Sequence, residues 1–113
     1  MNRMGTIITI GGGDCPEDLC GGLRAASRLV WTANTRLAVV LTDAPCHGMN
    51  YHLEPADDYP QGDPKGDTPE VLIEKLHQLG VQVCFVRVEQ AIDRMTGVLV
   101  QVAYFTSIRR YLL

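Results

Sequence analysis

The run Leu37-Ala38-Val39-Val40-Leu41 places five apolar residues in a row. A strand with one wet face alternates. An unbroken run predicts a strand buried on both faces, hence a parallel sheet covered by helices. What flanks the run fits that reading. Upstream, Thr6-Ile7-Ile8-Thr9-Ile10 predicts a β-branched strand that stops at Gly11-Gly12-Gly13. Pro16, Glu17 and Asp18 then mark a helix start, where free N–H groups favour carboxylates. Leu19, Leu23, Ala26 and Val30 give that helix one apolar stripe, ending near Trp31. Gly21 and Gly22 inside it suggest close packing against a neighbour.

Downstream, Thr68 and Pro69 open a second helix as N-cap and first helical residue. Leu72, Leu76 and Leu79 supply its apolar face, and Gly80 its C-terminal stop. Val81-Gln82-Val83-Cys84-Phe85-Val86-Arg87-Val88 reads as a strand, with Cys84 a buried thiol. Ile92, Met95, Leu99 and Val102 keep helical spacing to about residue 103. The order β-α-β-loop-α-β-α implies parallel strands with right-handed crossovers.

Composition narrows the function. At 113 residues the chain is one domain at most. Ten Lys and Arg against thirteen Asp and Glu leave no basic excess for a phosphate backbone, so no nucleic-acid partner is expected. No uncharged stretch reaches the roughly 18–20 residues of a membrane span, and no signal segment opens the chain. The four cysteines match no zinc pattern, and reduced thiols in the cytoplasm are the expectation.

In open parallel sheets, sites form outside the carboxyl ends of the strands. Asp14 follows the first expected strand and Asp43 the second, so both fall on one rim. The glycine loop is not a phosphate cradle: Pro16 stands where G-x-G-x-x-G needs its last glycine, and three nearby carboxylates would repel phosphate. Carboxylates instead favour a hard cation such as Mg²⁺ or Mn²⁺. The competing reading is local: Asp14 caps a helix and Asp43 a turn.

The long segment 46–67 has no regular pattern and is the expected functional loop. Cys46 and His47 adjoin in sequence, an arrangement that seldom makes a nucleophile–base pair. Zinc on Cys46, His47 and His52, or calcium on Asp57, Asp58, Asp63 and Asp67, lacks the usual ligand order. A partner-contacting loop with Tyr51 and Tyr59 as anchors suits the composition better.

Three segments carry a resemblance. Gly11-Gly12-Gly13-Asp14-Cys15-Pro16-Glu17-Asp18, Asp43-Ala44-Pro45-Cys46-His47-Gly48 and Asp57-Asp58-Tyr59-Pro60-Gln61-Gly62-Asp63-Pro64 occur in order. Together they resemble the von Willebrand factor A (vWA) domain found beside atypical alpha-kinase domains, over roughly residues 5 to 97. The resemblance implies an α/β, partial Rossmann-like three-layer sandwich with a mostly parallel sheet. It implies one domain over 1–113, truncated at its N-terminal side, because the family's Asp-x-Ser-x-Ser metal motif is missing. It implies a non-catalytic module that binds a protein partner, with Asp14 and Asp43 left from a Mg²⁺ or Mn²⁺ adhesion site. The partner surface would be Cys46, His47, Tyr51, His52, Asp57, Asp58, Tyr59 and Asp63. Two alternatives remain at this stage: a small metal-dependent hydrolase or phosphotransfer enzyme, and a fragment that folds only with a complementing chain.

Overall fold

A computed structural model describes residues 16–107. The expected strand at 6–10, the triple glycine, Asp14 and Cys15 lie outside the described residues. Within them the order is α1 (Leu19–Ser27), β1 (Arg36–Thr42), α2 (Pro69–Gln78), β2 (Val81–Arg87), α3 (Asp93–Leu99) and β3 (Tyr104–Ser107). A single 3₁₀ turn, Gln90–Ile92, leads into α3.

The strands form one parallel sheet in the order β1-β2-β3. Arg36 pairs with Val81 at one end of the β1–β2 ladder and Thr42 with Arg87 at the other. Cys84 pairs with Tyr104 on the far side. This is the parallel α/β architecture that the apolar runs and helix signals imply. The tail beyond residue 103, rich in β-branched and aromatic residues, supplies β3. Helix α3 stops at Leu99, earlier than its spacing suggests, although Val102 still packs against the core.

One face of the sheet carries the core. Val40, Val81, Val83 and Phe85 share a buried cluster with Leu19 and Leu23 of α1, Leu72, Ile73 and Leu76 of α2, and Met95 and Leu99 of α3. All three helices therefore lie on that face. The other face holds Leu37, Val39, Leu41, Cys84 and Tyr104. Leu41 is 66% exposed, and Leu37, Val39 and Tyr104 are exposed too. The expectation that 37–41 is buried on both sides fails within the described residues, because no helix here covers the second face. Cys84 is half-buried for the same reason.

Two helix ends explain themselves. Asp18 caps α1 by accepting the Gly21 N–H at 2.8 Å. A Cβ at Gly21 would overlap that carboxylate, so the glycine makes room for its own cap rather than for a neighbouring element. At the other end the Trp31 indole donates to the Ala26 carbonyl at 2.9 Å. The helix ends at Ser27, before the apolar stripe is complete. Val30, expected on the stripe, is 88% exposed. Helix α2 forms as its sequence dictates: Thr68 accepts the Val71 N–H at 3.2 Å, Pro69 follows, and Gly80 lies just past the end.

Candidate functional site

Strand β1 ends at Thr42, whose hydroxyl lies 3.2 Å from the Ala44 N–H and 2.9 Å from its carbonyl. The chain then passes Pro45, whose carbonyl accepts the Glu17 N–H at 2.8 Å. This contact sets the start of α1 beside the end of β1. Asp43 lies between them, exposed on the carboxyl rim. Asp14, its expected companion, is not among the described residues. Among those that are, no three His, Cys, Asp or Glu side chains converge as a metal ion needs.

The segment after Pro45 is irregular but tightly fastened. Its centre is Asp57, whose side chain is 3% exposed. Four donors converge on that carboxylate: His47 Nδ1 at 2.6 Å, His52 Nε2 at 2.7 Å, and the N–H groups of Gly48 at 2.8 Å and Tyr59 at 2.9 Å. Burial alone would raise the pKa of Asp57. The four hydrogen bonds outweigh it and hold the carboxyl well below its ordinary value. Gly48 turns at φ +111°, where any side chain would be strained and a Cβ would also press on the Tyr51 ring. Tyr59 sets its ring at 84° to the His47 imidazole, centroids 4.9 Å apart.

A second fastening ties the loop to α1. The Arg24 guanidinium reaches Asp63 through one terminal nitrogen and Asp67 through Nε at 3.0 Å. The Asp67 N–H donates back to Asp63 at 3.1 Å. A third uses Tyr51, whose hydroxyl donates to Glu70 of α2 at 2.7 Å. A partly open cavity of about 270 Å³ lies between 47–51 and 60–69. That volume suits one large side chain better than a cofactor, which commonly needs 300 Å³ or more.

The expected partner-facing residues divide accordingly. Cys46, Tyr51 and His52 are buried, so they shape the loop and do not present themselves to a partner. His47, Asp57 and Asp63 are the fasteners. Asp58 and Tyr59 are exposed, joined by Met49 and Leu53, the latter 82% exposed. Arg24 and Glu70 escape a reading along the chain, because each acts on a partner distant in sequence.

The structure does not assemble a thiol–imidazole pair at Cys46-His47. His47 Nδ1 goes to Asp57, and the Cys46 amide donates to the Met95 sulfur at 3.3 Å. Burial raises the Cys46 thiol well above its ordinary range, reinforced by Cys20, Glu70 and Asp57. A thiol so disposed is protonated and a poor nucleophile.

The chain is similar to an alpha-protein kinase named vwkA from Dictyostelium discoideum. The two are 41% identical over 76 residues, which is 66% of this chain. The match spans only 12% of that kinase. No protein-family model and no solved structure matches the chain. No helix among the described residues is long and apolar enough to cross a membrane.

Proposed function

We propose that this chain is a non-catalytic, vWA-like protein-interaction module that docks through the 46–67 loop at the carboxyl rim of its sheet. The observation that carries the reading is the loop's fastening. An irregular segment of this length gains nothing for the core by holding Met49, Leu53 and Tyr59 outward. Yet three sets of part-buried polar bonds fix it in one shape. Prior ordering lowers the entropic cost of binding. The exposed apolar side chains sit beside Glu54 and Asp58, which suits a partner with an apolar patch and a basic rim. The similarity to a region of an alpha-protein kinase supports a vWA-like reading, and the kinase activity of that protein is not carried over. The described cysteines Cys20, Cys46 and Cys84 are free thiols, which fits a reducing, cytoplasmic setting.

The test is site-specific crosslinking. A photoreactive group at Leu53 is compared with one at Glu74, exposed on α2. A protein captured from Leu53 and not from Glu74, and lost in Met49→Ser/Tyr59→Ser, supports the reading. Equal capture from both positions, or none, sinks it.

A further inference from the structure

The charges around the cavity between 47–51 and 60–69 do not balance. Asp63 and Asp67 both line it. They share one cation, Arg24, and it meets Oδ2 of each. The Asp67 N–H also goes to Asp63 Oδ2. Among the described residues, no donor reaches Oδ1 of either carboxylate. A net negative charge is left beside a cavity where the Asp63 side chain is only 3% exposed. Among the described residues, no second cation makes up the difference. Lys65 is exposed, lies outside the lining and forms no ion pair there. His47, on the opposite wall, is turned to Asp57. The start of α2 brings the positive end of a helix dipole to the lining at Thr68 and Pro69. Its first turn, however, carries Glu70, which meets the neutral Tyr51 hydroxyl. An anion is therefore repelled here and a cation drawn in. Tyr51, Pro60 and Pro69 supply apolar wall.

We propose that this cavity receives an arginine side chain of a protein partner, with the open Oδ1 atoms of Asp63 and Asp67 accepting from its guanidinium. The inference rests on the reading of the 46–67 loop as a docking surface and names the group that the loop recognises. The chemistry selects arginine over the other side chains. A carboxylic or phosphorylated residue meets like charge. An apolar residue fills the space but leaves both acceptors without a donor once water is expelled. Lysine supplies the charge, but as a strongly hydrated point that loses more on leaving water. Arginine offers several N–H donors in one plane, and that plane can lie against an aromatic or proline wall. The carboxylates also stand ready: Arg24 and the Asp67 N–H already hold them in place, so binding orders little that is not ordered before.

Peptide titration followed by NMR on the full chain tests this at constant salt. The probe is acetyl-Leu-Arg-Leu-amide, and its control carries citrulline, which has arginine's shape without its charge. The arginine peptide shifts the Gly62, Gly66 and Asp67 amides saturably and leaves Val83 and Phe85 where they were. The citrulline peptide binds about tenfold more weakly, the worth of one charge-assisted hydrogen bond. Asp67→Asn weakens the arginine peptide and leaves the citrulline peptide unchanged. Asp67 also holds Arg24, so a variant at the exposed lining residue Asn50 guards against a merely structural loss. Asn50→Lys weakens the arginine peptide by about two- to threefold and Asn50→Asp strengthens it as much, as an exposed charge should. Equal binding of the two peptides, shifts that do not saturate by about 10 mM, or indifference to the charge at Asn50 overturns the proposal. Peptide binding is read on the chain alone, so it stands or falls separately from the capture of a protein at Leu53.

Discussion

The Asp57 carboxylate meets His52 Nε2 at 2.7 Å, and both side chains are sealed from solvent. Asp57 also gathers His47 and two backbone N–H groups, so removing it strands four donors at once. Asp57→Ala is expected to cost about 2–4 kcal/mol, measured by urea unfolding. The pH dependence has a definite sign. The folded-state pKa lies below the ordinary 3.8, so the stabilisation is fully present above that value. It drains away as pH falls below 3.8 toward the lowered value. Asp57→Asn should therefore flatten the unfolding free energy over that acid interval. An unchanged slope would mean the carboxylate is not charged in the fold.

Among the described residues, Arg24 is the cation set between Asp63 and Asp67, and its side chain is largely buried. Deleting it leaves the Asp63 carboxylate buried without a counter-charge. Arg24→Met should cost about 3 kcal/mol, and Arg24→Met/Asp63→Asn clearly less than the sum of the single changes. Arg24→Lys should restore only part, since an ammonium cannot reach both carboxylates through a planar fork. Additive single and double changes would show that the pair does not interact.

Elements set by local chemistry were legible in the sequence. Thr68, Pro69 and Gly80 bound α2 because a cap and a φ preference act within a few residues. The apolar runs at 37–41 and 81–88 were legible as strands. What escaped depends on partners far along the chain. Arg24 meets Asp63 across 39 positions and Asp67 across 43, and no spacing rule connects them. The exposed face of β1 escaped for a related reason. An unbroken apolar run says that a strand tolerates burial on both sides, but not that something covers both. β3 was hidden because Leu99 and Val102 carry helical spacing almost up to its first residue. His47, His52 and Asp57 stood out as candidate loop residues, yet their tie to one another required the fold.

Thiol chemistry should separate the described cysteines. Burial pushes the Cys20 thiol up to about 12, with Asp63 adding to the effect, and pushes Cys46 higher still. Cys84 lies half-buried on the face that no described helix covers. Alkylation with iodoacetamide at neutral pH, mapped by mass spectrometry, should label Cys84 well before Cys20 or Cys46. Denaturant should bring the three rates together, since accessibility and thiolate fraction then become alike. Rapid labelling of Cys46 in the native protein would contradict its position in the core.

The two faces of the sheet should respond oppositely to substitution. Val83 is fully buried on the helix-covered face, so Val83→Ala should lower stability by about 1–3 kcal/mol through a cavity that helices cannot refill. Val39, two residues from the end of the apolar run on β1, faces out. Val39→Thr keeps the β-branched shape and should change stability by no more than about 0.5 kcal/mol. A large loss at Val39 would show that its face is covered.

Asp43 allows the last separation, between a metal-dependent module and a metal-independent one. Its carboxylate is exposed on the rim, and no second or third donor joins it among the described residues. An ion that binds only the folded state raises the melting temperature, by about 2.7 kcal/mol of stabilisation at a hundredfold excess over its dissociation constant. Millimolar Mg²⁺ or Mn²⁺ is expected to leave the melt of the full chain where it was, and Asp43→Ala to melt with the wild type in either ion. A stabilising shift that Asp43→Ala abolishes would instead make Asp43 a ligand, with its remaining donors supplied from beyond residues 16–107.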